Sequence, residues 1–205
     1  MGFYLLTLNI LICRLAKPTK ISIGRRSRQE IIIDGVIFMR AIGIDLAGRS
    51  ENPSGFCVLI EENGNNSTDT KLLYSDEEMI VEIEKVKPNC IAIDAPFWLP
   101  RGAGGLVAMW RNSEQLLIKR GFRPLSPALP TMQELSERAR RLVANLRAKG
   151  YEVVETFPRA AEIILGLSKE PRKNQDEYDA LLCALVAKCY LEKNFENLDG
   201  VVVPK

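Results

Sequence analysis

Three blocks of apolar residues in this chain share one ending. Residues 39–48 read Met-Arg-Ala-Ile-Gly-Ile-Asp-Leu-Ala-Gly, a short apolar run closed by Asp45 and a glycine turn. Residues 91–96 repeat the pattern with Asp94 before Pro96, and residues 153–158 repeat it with Glu155 before Pro158. Continuous apolar runs of this length predict strands buried on both faces, and open α/β sheets bind ligands just beyond the carboxyl ends of such strands. The pattern predicts an α/β protein in which three acids meet at one sheet edge.

Between the first two blocks, residues 56–61 and 71–74 read as antiparallel strands joined at Asn63-Gly64, a strong hairpin signal. Ser75 or Asp76 then caps a helix to about Val86, with Met79, Ile80, Ile83 and Val86 on one face and Pro88 ending it. Residues 96–130 are a long Gly/Pro-rich connection with a short helix at 110–119, and connections of this length are usually functional. Thr131 opens an amphipathic helix with Met132, Leu135, Ala139, Leu142 and Leu146 at helical spacing. Arg138, Arg140, Arg141 and Arg147 fall mostly off that stripe, and Gly150 caps the end. A short helix follows at 160–165 and a long one at 175–193, whose Asp176 and Asp179 project from one face. Residues 201–203 suggest a small terminal strand.

The length of 205 residues suits one core, placed at residues 39–205. Residues 1–38 look foreign to it: the apolar run at 3–12 is too short to span a bilayer and lacks the flanks of a secretory signal. This segment reads either as an extension ahead of a natural start at Met39, or as a hairpin of residues 20–23 and 30–38 on the sheet edge. No membrane association is expected. Five cysteines lie inside apolar runs without a CxxC pair, which fits reduced thiols in the cytoplasm. The absence of histidine excludes Ser-His-Asp and Cys-His machinery and most catalytic zinc sites. A metal would have to be held by oxygen, as Mg²⁺ or Mn²⁺ is. The net charge of +2 is uneven, because residues 101–149 hold ten Lys/Arg against three Asp/Glu. An anionic polymer would sense that region.

Gly-Ile-Asp-Leu-Ala-Gly, Ala-Ile-Asp-Ala-Pro, Glu-Thr-Phe-Pro-Arg-Ala and Asp-Glu-Tyr-Asp-Ala-Leu-Leu-Cys-Ala resemble the motifs of a family described as predicted RNase H-fold nucleases, or domain of unknown function 429. The resemblance covers residues 39 to about 193 and is nearest to the resolvase-like branch of the ribonuclease H-like superfamily. It implies a five-stranded mixed sheet in the order 3-2-1-4-5, with strand 2 antiparallel and helices flanking it. It further implies a nuclease using two Mg²⁺ or Mn²⁺ ions. Ions roughly 3.5 to 4 Å apart can activate water and stabilise the leaving oxygen of a phosphodiester. On this reading Asp45 bridges the ions, Asp94 and Asp179 complete their shells, and Glu155 or Asp176 is a further ligand.

Each acid also has a plainer reading as a turn former, and Asp176 as a helix N-cap. Arg101, Trp110, Arg111, Arg120, Arg123 and Arg159 are candidate nucleic-acid contacts, since arginine on phosphate and aromatics on bases grip a strand without sequence preference. The alternative is a solvated basic surface over aromatics that cap the core. Gly102, Gly104 and Gly105 would suit a mobile lid. Two other function classes stay open: a non-catalytic nucleic-acid-binding scaffold, and nucleotide phosphoryl transfer. The latter normally needs a second such domain.

Overall fold

The computed structural model describes residues 31–33, 36–102, 104, 106–167 and 174–205, with side chains from Met39 onward. The expectations for residues 3–12 and 20–23, and for Gly105, lie outside these residues. The elements run β1 (Ile31–Ile33), β2 (Val36–Asp45), β3 (Ser54–Glu62), β4 (Asn65–Leu73), α1 (Asp76–Val86), β5 (Cys90–Asp94), α2 (Asn112–Lys119), α3 (Pro130–Ala148), β6 (Val153–Thr156), α4 (Pro158–Ile164), α5 (Gln175–Leu191), β7 (Phe195–Leu198) and β8 (Val201–Pro204). This is an α/β protein with one mixed sheet.

Local signals place most boundaries. Asn63 and Gly64 both take positive φ, 52° and 80°, as a tight hairpin between β3 and β4 requires. At the start of α1 the Ser75 hydroxyl accepts from the Glu78 N–H at 3.1 Å, while the Glu78 carboxylate accepts from the Ser75 N–H at 3.2 Å. That reciprocal box satisfies two otherwise orphaned donors. Proline occupies the first position of both α3 and α4, where its missing N–H costs nothing.

Neighbouring strands follow the order β4-β3-β2-β5-β6-β8-β7, with β1 pairing antiparallel to β2. The first five of these stand in the order expected, and β3 runs antiparallel between β2 and β4. The strand count was too low: the sheet has eight strands, not five. Two additions form a C-terminal hairpin, in which β8 pairs parallel to β6 and antiparallel to β7. Its turn is Asp199-Gly200, with φ of 51° and 103°, a signal present in the sequence and passed over. The first expected strand is also longer, beginning at Val36.

Both faces of the sheet are covered. On one, Ala41, Cys57, Leu59, Cys90 and Ala92 meet α5, buried almost continuously between Ala180 and Cys189. On the other, Ile42, Ile44, Phe56, Ile91 and Ile93 meet Met79 and Ile83 of α1 and Leu142 and Leu146 of α3. Strand alternation divides the two sets. Among the described residues no helix is long and apolar enough to cross a membrane.

Candidate functional site

The parallel pairing of β2 and β5 sets Asp45 directly opposite Asp94 as the final pair of the ladder. On the other side of β2, Asp45 pairs with Gly55 of β3. Alternation turns Asp45 and Asp94 toward the face that carries Ala41, Ala92 and α5. Helix α5 lies unusually close to this face. A Cβ on Gly43 would stand 2.0 Å from the Ala180 carbonyl oxygen, and one on Gly55 would stand 1.9 Å from that of Asp176. No side chain fits there, so two glycines let the first turn of α5 settle on the ends of β2 and β3.

Asp176 is not the N-cap. Asn174 holds that position, its side-chain oxygen accepting from the Glu177 N–H at 3.1 Å. The Asp176 carboxylate is thereby left to face the sheet edge together with Asp179, which accepts from Gln175 Nε2 at 2.8 Å. Burial, then Asp179, then Asp176, push the Asp45 carboxyl from its ordinary 3.8 up to about 7. Asp94 is raised well above its ordinary value by burial first, then by Asp45, Asp179 and Glu155. No cation among the described residues appears in the causes acting on Asp45 or Asp94. Among the described residues no three Asp, Glu or Cys side chains are placed so as to hold a metal ion. Like charges without a counter-ion hold apart.

Glu155 departs from the expected role. Its register partner is Ile93, not Asp94, so alternation sends it to the face of Ile93 and Val153. There Arg111 grips both carboxylate oxygens, one at 3.1 Å, and the Phe97 N–H donates to the carboxylate at 2.9 Å. Burial lifts its proton affinity and Arg111 opposes that. Arg111 also pairs with Glu114, so a triad of one guanidinium and two carboxylates is buried, with exposures of 3, 4 and 6% for Arg111, Glu114 and Glu155. An arginine so enclosed belongs to the interior and not to a basic surface, which corrects its expected surface role.

The remaining basic candidates are outside. Arg101 and Arg123 are exposed. Arg120 is exposed and paired with Glu196, Arg159 is exposed and paired with Glu162, and Trp110 is half-buried. Arg138, expected off the apolar stripe, is 4% exposed. It donates to Asp76 and to the carbonyls of Ala47 and Tyr74, each at 2.8 Å, and so fixes the loop that leaves Asp45. Its place between Leu135 and Leu142 at helical spacing was the available signal. Glu114 and the two glycines were missed. Glu114 had a signal in its spacing of three from Arg111.

The fold and site together define an α/β protein with an acid-lined carboxyl edge. Compared with family models, with curated proteins and with solved structures, the chain matches none.

Proposed function

We propose that this chain is a divalent-metal-dependent nuclease of the ribonuclease H-like class, working at the carboxyl edge of its sheet. The observation that carries the reading is the convergence of Asp176 and Asp179 on Asp45 and Asp94, two buried carboxyls on which no cation acts among the described residues. Burying carboxylates unpaired is costly, and a bound cation is the usual remedy. The strand row β4-β3-β2-β5-β6 with α5 across it, in the order the sequence motifs imply, supports the fold assignment.

The donor set fits Mg²⁺ or Mn²⁺, being all oxygen and free of imidazole, with the thiols at Cys57, Cys90, Cys183 and Cys189 buried. Asp45 and Asp94, with Asp179 and Asp176, would hold the ions, while Glu155 is committed to Arg111. When bound, such ions neutralise phosphate charge and make water a stronger nucleophile at neutral pH. The chain's own part is to fix Asp45 and Asp94 on paired strands, to press α5 onto them, and to offer Arg101 and Arg123 to phosphates from the adjacent loop. The reduced state of the thiols fits a cytoplasmic location.

Mn²⁺ titration followed by thermal melting, beside a panel of labelled oligonucleotides, tests this reading. Mn²⁺ should raise Tm and switch on cleavage. Asp45→Asn should keep the fold, lose most of the Mn²⁺ shift and cut roughly 100-fold or more slowly, at least the scale on which even outer-shell support of a metal matters. Unchanged cleavage in the variant would remove the mechanism. A second reading is a nucleic-acid-binding scaffold without catalysis, which agrees with the finding that among the described residues no three side chains are placed to hold an ion. Under it Mn²⁺ leaves Tm alone and Asp45→Asn firms the protein.

A further inference from the structure

Beside Asp45 and Asp94 lies a cavity of about 170 Å³. Leu46, Pro124, Leu125, Met132, Leu135 and Phe157 form its apolar walls. The buried triad of Arg111, Glu114 and Glu155 also lines it. Cavities that hold whole small-molecule ligands begin at roughly 300 Å³. This one therefore admits a single ring system and no complete nucleotide.

Its walls are largely apolar and include one aromatic side chain, Phe157. Phe157 is held edge-on to Phe122 with ring centroids 6.5 Å apart, and Leu125 at the cavity is 62% exposed. The same connection leaves Trp98, Leu106 and Met109 exposed at 49, 74 and 64%. Four of the five N–H donors of Arg111 go to Glu114 and Glu155. The fifth, on Nη1, has no partner among the described residues and is available to a ring nitrogen or carbonyl. Because Asp45 and Asp94 line the same cavity, a ring seated here carries its own backbone phosphate to the acids.

Building on the nuclease reading, we propose that this cavity takes the base of an unpaired nucleotide, so that the chain acts on single-stranded or splayed strands and not on continuous duplex. A base paired and stacked within a helix must be extruded to enter such a slot, and an already unpaired base avoids that penalty.

Two measurements test it. In the first, cleavage with Mn²⁺ is compared on a single strand, its duplex, and the single strand with one abasic nucleotide moved along it. The duplex should be cut at least about tenfold more slowly, and one abasic position should lower the rate about tenfold, the scale of a single stacked base. Equal rates on all three would overturn the proposal while leaving the nuclease standing. In the second, a single strand carrying 2-aminopurine is titrated with protein in Ca²⁺. Its fluorescence should be quenched by the wild type, and Leu125→Trp, which fills the mouth at an exposed position, should weaken the quenching about tenfold. If no oligonucleotide is cut, the nuclease reading fails, and this titration decides the cavity separately. Quenching lost in Leu125→Trp upholds base binding, whereas no quenching, or quenching unaltered by the substitution, refutes it.

Discussion

Arg111 shows what a single buried residue decides here. Its guanidinium is the counter-charge for Glu155 and Glu114, and all three are withdrawn from water. Removing one member of a buried ionic group leaves the others uncompensated, at about 3–5 kcal/mol. Arg111→Met should therefore lower stability by roughly that amount in a denaturant melt. The double variant Arg111→Met with Glu155→Gln should recover a part of the loss, because one stranded charge is gone. If the single variant loses under about 1 kcal/mol, the triad is not a structural anchor. Asp45 is the opposite case. Burial first, and then the acids Asp179 and Asp176, raise its proton affinity where that of a paired carboxylate would fall.

At the scale of elements, the position of α5 matters most. Beyond its acidic start the helix is buried almost continuously from Ala180 to Cys189, and it is laid across β2, β3 and β5. Its first turn reaches the acids because Gly43 and Gly55 leave no side chain beneath it. Gly55→Ala forces the backbone at Asp176 to move, and overpacking of this kind costs about 1–3 kcal/mol. The expected result is a lower Tm and, on the proposed function, weaker Mn²⁺ stabilisation than the wild type shows. Gly64→Ala serves as the control: it lies in open space at φ +80°, so it should lower Tm through backbone strain alone and leave the Mn²⁺ shift intact. A Gly55→Ala protein with an unaltered Mn²⁺ response would show that α5 does not bring its acids to the metal.

For the whole molecule, the acid edge makes stability depend on pH. The carboxyl of Asp45 titrates at about 7 in the fold against 3.8 ordinarily. Between those values the folded chain holds a proton that the unfolded chain has released, so stability falls as pH rises through the window. At about 1.4 kcal/mol per pH unit, the loss is at most about 4 kcal/mol, complete above pH 7. Asp94 acts in the same direction. Glu82, drawn down to about 2 by Lys71 and Lys85, works the other way and weakens the protein only below its ordinary 4.5. The metal-free Tm should thus decline from about pH 4.5 to 7, and Asp45→Asn should flatten that decline. A decline of equal slope in the variant would place the titrating group elsewhere.

Much of this arrangement was written locally. The apolar runs ending in Asp45 and Asp94, the Asn63-Gly64 turn, the cap at Ser75 and the spacing of Asp176 and Asp179 are properties of a few adjacent residues, whose backbone preferences act wherever the chain goes. From them follow the strands from β4 to β6 and the helices between, while the order of the row is what the family resemblance implies. Register is different, since it is settled by packing among residues distant in sequence. One step of it sets Glu155 beside Ile93 and not Asp94, and so turns its side chain toward Arg111. Likewise Gly43 and Gly55 look like ordinary strand residues until α5 is laid across them. The sequence by itself determined which acids end which elements, because that is a matter of local order; the tertiary structure decided which acids face one another, because that depends on pairing and close approach.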